Sequence, residues 1–294
     1  MSAAVLASVS KPSAGPGQVF VRRVAQSWQG ASALVILAVV LGTAVLAPWI
    51  APWSPIDVDV ERITEGPSWL HWAGTDEIGR DILSRVMHGA GVSLQVVALS
   101  VGTAMVVGSS IGLVSGWFGG WVDAAIMRTM DALLAFPLLV LALTIVAILG
   151  PDLLNAMLAI AVTKVPGFAR LVRAEVLGLR QVDFVKAARA GGAGDLRILA
   201  RHVWPNVSGN VIVYGSLAAS QALITESALS FLGLGAQPPT PSWGYMVATG
   251  MEYSTSWWMS VFPGLAIFLT VLAFNFLGDA ARDALDSRLL HKDR

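Results

Sequence analysis

Glu226 is the clearest acidic side chain inside a long apolar run of this sequence, and Gln221 and Thr225 lie beside it. A carboxylate at membrane depth is costly, so by default it marks a pathway or a gate. The plainer alternatives are a hydrogen bond to a neighbouring helix or a place nearer the outer interface. Other chemistry is scarce. There is no cysteine, which removes disulfides and thiolate metal sites. His71, His88, His202 and His291 fall outside the apolar runs, and no His-Glu-x-x-His occurs. An intramembrane protease would need a nucleophile with a base at depth, and no histidine lies there. Lone loop histidines such as His71 and His88 are more often surface residues, so no metal ligand is assigned. None of Lys11, Lys164, Lys186 and Lys292 ends a G-x-x-x-x-G-K-[ST] run, so the chain is not itself an ATPase. The remaining chemistry is that of docking. Residues 183–206, DFVKAARAGGAGDLRILARHVWPN, carry Lys186, Arg189, Arg197, Arg201 and His202 against two acids, around a Gly-Gly-Ala-Gly bend.

The elements that must position these residues are membrane helices. The chain is 55% hydrophobic and 13% charged, with mean hydropathy +0.68; a soluble domain carries roughly 25% charged residues. Net charge is zero, giving no sign of a nucleic-acid partner. Six apolar spans are expected at about 31–50, 93–116, 124–149, 153–168, 211–232 and 259–277, each to be set against the roughly 20 residues that cross a bilayer. Residues 1–29 form a polar tail, 30–290 the six-helix domain with the loop 183–206 inside it, and 291–294 a short C-terminal tail. With both termini cytoplasmic, 16 of the 19 Lys and Arg fall inside, as the positive-inside rule requires. Trp49, Trp53, Trp117, Trp121, Trp257 and Trp258 lie where spans would meet headgroups.

Within the spans, Gly108, Gly112 and Gly116 repeat every four residues, with Ala104 one step earlier, and share a helix face. Such a face lets another backbone approach closely, within the chain or at a subunit interface. Pro137 and Pro166 are expected to bend or end their helices. Arg128 and Asp131 are spaced to pair at the inner end of span three, with Asp123 nearby. Before span two, Thr75 or Asp76 suits an N-cap, and a short amphipathic surface helix is expected over 78–89. On these grounds alone, a permease driven by a separate ATPase and an ion-coupled secondary transporter both remain open. The latter commonly shows internal repeats and charged broken helices at the midplane; no repeat is evident here.

Five collinear segments narrow the choice. GTDEIGRDILSRVMHGAGVSL (74–94), GGWVDAAIMRTMDALLAFP (119–137), the loop 183–206, ESALSFLGLGAQPPTPSWG (226–244) and FPGLAIFLTVLAFNFLGDAARDALDSR (262–288) resemble, in order, the permeases of the dipeptide/oligopeptide/nickel branch of ATP-binding-cassette (ABC) importers. In detail they look like the C-type subunit. The resemblance implies an all-α membrane protein with the type I ABC importer permease fold, six transmembrane helices and a cytoplasmic coupling loop, the "EAA loop". Lys186-Ala187-Ala188 hold the place of the family's Glu-Ala-Ala, Gly192 that of its glycine and Pro205 that of its closing proline. Lys186 reverses the family's acid, and His202 and Trp204 replace an apolar pair. The coupling residues implied are Lys186, Ala187, Ala188, Gly192, Asp195, Arg197 and Pro205; Gln221 and Glu226, from their place at membrane depth, are the residues expected on a translocation path. The implied partners are a second homologous permease subunit, two ABC ATPase subunits that bind ATP and magnesium, and an extracytoplasmic substrate-binding protein, all at a bacterial inner membrane. Short peptides are the first expected substrate; nickel complexes, glutathione or another small solute are alternatives.

Overall fold

The computed structural model describes residues 22–285, so the N-terminal tail is described only in part and the 291–294 tail lies outside. The described residues are almost wholly helical; the only β pairing among them is an isolated bridge between Thr75 and Asp81. The helices are α1 (Trp28–Ile50), α2 (Ile82–Phe118), α3 (Gly120–Leu134), α4 (Leu138–Leu149), α5 (Leu153–Leu179), α6 (Asp183–Ala190), α7 (Asp195–Ile198), α8 (Trp204–Phe231), α9 (Trp243–Glu252) and α10 (Trp258–Leu285). A π-helical turn, Leu199–Val203, joins α7 to α8. Five helices are long and apolar enough to cross a membrane, and α3 with α4 makes a sixth if the bent pair is one span.

Local sequence explains the breaks. Ser27 caps α1, accepting from the Gly30 amide, and Asp152 caps α5, accepting from Leu154. Pro137 stands between α3 and α4, whose axes turn by 90°, so the expected third span is two helices. Pro166 does not end its helix. It is buried within α5, which continues to Leu179, eleven residues past the expected end. Packing on both sides outweighs the one hydrogen bond that proline forfeits. The helix before span two is also longer than expected. It runs unbroken from Ile82 to Phe118, about 55 Å at 1.5 Å per residue, and its cap is Asp81, not Thr75 or Asp76. Asp81 Oδ2 accepts from the Ser84 amide at 2.7 Å.

The interior is built on α2 and α5, the most extensively packed helix pair. A Cβ added at Gly108 would lie 2.7 Å from the Val165 carbonyl oxygen, and one at Gly112 would lie 2.5 Å from that of Ala169. The small-residue face is therefore an intramolecular seam. Buried Val96, Ala104, Ile160, Phe168, Val172, Leu223 and Leu229 fill the space between α2, α5 and α8. By contrast α1 turns Val35 and Val39 outward, each at least 60% exposed, as a lipid-facing helix would.

Candidate functional site

Three layers of polar residues follow the helices from one end of the bundle to the other. In the loop layer, Asp183 lies in the first turn of α6, where the helix dipole favours an acid. Val185 is buried in the core and anchors the helix. The chain then turns in a Schellman motif: the Ala193 amide donates to Ala188 and the Gly192 amide to Arg189. Gly192 holds φ +81°, the left-handed conformation this motif requires, and faces open space. Ile198 and Val203 are fully buried and fasten the return arm. Between these anchors Lys186, Ala187, Asp195 and Arg197 are exposed, as are Phe184 and Leu196, the latter at 80%.

Ala188 is half-buried against the core, whereas Ala187 is exposed. Trp117 does not face headgroups; it is 3% exposed beneath two guanidinium groups. The Arg189 guanidinium lies 4.9 Å from its ring centroid and that of Arg180 lies 5.9 Å away. Arg180 also donates to the Gly116 carbonyl at 2.9 Å. Arg189 reaches Asp195 at 3.7 Å, bridging the two arms of the loop. Lys186 sits 3.8 Å from Asp183, and both are exposed, a weak pairing. Arg189 was visible in the sequence as one more loop cation; only packing assigns it to Trp117. Pro205 is exposed in the first turn of α8, where its missing amide hydrogen costs nothing.

Near the same end, Asp123 accepts two hydrogen bonds from Arg173, at 2.5 and 2.6 Å, and a third from the Ser115 hydroxyl. Asp131 pairs with Arg170 at 2.5 Å, not with Arg128. Both acids of α3 therefore bind arginines of α5 that are remote in sequence.

The middle layer separates Gln221 from Glu226. The Glu226 carboxylate has no exposed surface and lies five residues from the end of α8, not at its middle. Its Oε1 accepts from Ser230 at 2.8 Å and Ser242 at 3.3 Å, and Oε2 accepts from Ser227 at 3.4 Å. Ser242 is the residue preceding α9, so Glu226 ties α8 to α9. Gln221, by contrast, is exposed, and its Oε1 accepts from Lys164 Nζ at 2.9 Å. Lys164 is a buried cation of α5. It stands four residues inside the expected end of span four, where a lysine among apolar residues was the available signal.

The outer layer is a buried knot where a surface helix was expected. Arg80 Nε lies 2.6 Å from Asp76 and its Nη2 lies 2.8 Å from Glu77. His71 Nδ1 lies 2.9 Å from Asp81. Arg85 donates to the Pro55 carbonyl at 2.9 Å and approaches Asp76 at 3.5 Å. Trp243 Nε1 donates to Val86 at the start of α2, and Trp258 Nε1 to Thr75 of this loop, locking α9 and α10 against it. Among the described residues, no group of three or more His, Asp or Glu is placed to hold a metal ion.

A family model described as the binding-protein-dependent transport system inner membrane component matches residues 108–291. The glutathione transport system permease protein GsiD of Pectobacterium atrosepticum is 42% identical over 276 residues, covering 93% of this chain and 92% of the relative. The dipeptide transport system permease protein DppC of Alkalihalophilus pseudofirmus is 44% identical over 257 residues, covering 87% and 84%. The di/tripeptide transport system permease protein DppC of Pseudomonas aeruginosa is 41% identical over 292 residues, covering 95% and 96%. Among solved structures, a chain of the MetNI methionine ABC transporter superposes with TM-score 0.57 at 16% identity, over 69% of this chain and 97% of that one, a likeness of fold.

Proposed function

Because this chain belongs to the family of inner membrane components of binding-protein-dependent transport systems, we propose that it is a permease subunit of an ATP-driven importer of short peptides. The observation that carries this reading is the 41–44% identity to di- and tripeptide permeases along nearly the whole chain. Glutathione, itself a small peptide, is the second reading, supported by the 42% identity to GsiD.

The chain's own part is mechanical. Separate ATPase subunits hold ATP and magnesium and carry out hydrolysis. The exposed surface of the loop, with Phe184, Lys186, Ala187, Asp195, Leu196 and Arg197, docks against one of them. Gly192 holds the turn and Pro205 leads the chain back into α8. Movement of the docked loop passes through Arg189 to Trp117 at the end of α2. The glycine seam then carries α5 with α2 as one body, biasing a two-state bundle. A second homologous permease completes the path, and an extracytoplasmic binding protein delivers the solute. Gln221 lines that path, and Glu226 braces its outer end by holding α8 to α9. Both termini lie in the cytoplasm, a reading supported by the Lys and Arg distribution.

The test is purification of the tagged chain from its own membranes, followed by uptake in vesicles with the co-encoded binding protein. Co-purification of P-loop ATPases and a second multi-span permease, with ATP-dependent dipeptide uptake, is the expected result. Recovery of the chain alone, active in uptake driven by an ion gradient, would replace this reading with a secondary carrier.

A further inference from the structure

Lys164 is 3% exposed, yet its ammonium group has a single hydrogen bond, to the neutral Gln221 amide oxygen at 2.9 Å. Among the described residues, no carboxylate lies within ion-pair distance of it. An ammonium group has three donors, and a buried charge is retained at low cost only when paired. The pair lies about 15 Å from the Leu153 end of α5 and from the Phe231 end of α8, at 1.5 Å per residue, which is the middle of the bundle. Gln221 is exposed at that depth. Its oxygen is taken by Lys164, but its NH2 has no hydrogen-bond partner among the described residues and would find none in hydrocarbon, so this face of α8 borders water or protein rather than lipid. Lys164 therefore stands directly behind a residue on a face of α8 that does not meet lipid.

We propose that Lys164 and Gln221 form a carboxylate-binding subsite in the translocation path, taking the free C-terminal carboxylate of a short peptide. The incoming carboxylate replaces the Gln221 oxygen on the ammonium group. The amide, turned over, donates its NH2 to the same carboxylate. This converts a cation held by a neutral acceptor into a charge-assisted pair. The neutral amide remains as the resting cap, so the site releases its ligand when the bundle moves. Glutathione, with two carboxylates, fits the same chemistry. The subsite rests on the peptide-importer reading.

The experiment compares ATP-dependent uptake of one dipeptide as its free acid and as its C-terminal amide, by the whole transporter in vesicles. The dipeptide is one whose two forms the binding protein both captures, as checked beforehand by titration calorimetry. Any preference of the binding protein enters the wild type and the variants alike and cancels when the ratio of a variant is compared with that of the wild type. In Lys164→Met the acid-to-amide uptake ratio should fall about tenfold, the worth of one charge-assisted hydrogen bond. Lys164→Arg should keep most of the ratio. If the methionine variant does not assemble, Gln221→Leu, at an exposed position, should lower the ratio and decides the matter. An unchanged ratio overturns the proposal. So does an equal loss of both peptides, the pattern expected if Lys164 pairs with an acid of the partner permease. Failure of the wild type to take up either peptide would instead refute the peptide-importer reading itself.

Discussion

The Arg189 guanidinium stacks over Trp117 at 4.9 Å from the ring centroid and so ties the loop 183–206 to the last turn of α2. Trp117 sits one residue beyond Gly116, whose missing Cβ lets Val176 of α5 close against α2. The contact thus joins the exposed loop to the seam between the two most extensively packed helices. Arg189→Ala removes this link and the bridge to Asp195 while leaving Val185 and Ile198 as anchors. We expect uptake per ATP hydrolysed to fall severalfold, with the protein still inserted and assembled. Uptake and ATPase rates measured on the same vesicles give the ratio; no change would mean that the loop transmits its motion elsewhere.

Gly192 tests the turn itself. Its φ of +81° suits glycine, and a branched residue there costs roughly 1–2 kcal/mol or more. Gly192→Val should uncouple hydrolysis from uptake without preventing insertion. Normal uptake by this variant would remove the account of the loop.

Gly112 tests the seam. Its Cβ position lies 2.5 Å from a backbone oxygen, which cannot move aside as a flexible side chain would. Gly112→Leu should force α2 and α5 apart at a cost of several kcal/mol, within the range for overpacked sites. Thermal unfolding of the detergent-solubilised complex should show a markedly lower midpoint, whereas Gly102→Ala, inside the same helix and with nothing within 4 Å, should not lower it and should raise it slightly.

Glu226 separates bracing from conduction. Three hydroxyl groups converge on its carboxylate. Glu226→Leu leaves them without their acceptor, at about 1–3 kcal/mol for a buried unsatisfied group. Glu226→Gln keeps the shape and one acceptor oxygen and should lose less. A lower unfolding midpoint for the leucine variant, with uptake restored largely by glutamine, is expected. Equal loss of uptake in both variants, at unchanged stability, would assign the carboxylate to the path.

The acids of α3 illustrate where reading along the chain stops. Asp131 with Arg128 looked like a pair because three residues separate them, but the structure gives Asp131 to Arg170 and Asp123 to Arg173. Local spacing proposes partners on one helix, whereas a helix of the opposite hairpin arm can offer a bidentate guanidinium at shorter range. The knot around Asp76, Arg80 and Asp81 was missed for the same reason. Its charges looked solvated because the segment is polar, and they are buried because α9 and α10 fold over it through Trp243 and Trp258.

The membrane class, the existence of the spans, the break at Pro137 and the glycine face of α2 were set by the sequence alone. Apolar length, proline's missing donor and a period of four residues act locally, through the backbone and the lipid. The burial of Trp117 under Arg189, the burial of Lys164 behind Gln221, the inward turn of Ala188 and the passage of α5 through Pro166 were decided only by tertiary structure. Each depends on which helix lies alongside, and a helix's neighbour is chosen by the packing of the whole bundle rather than by its own residues.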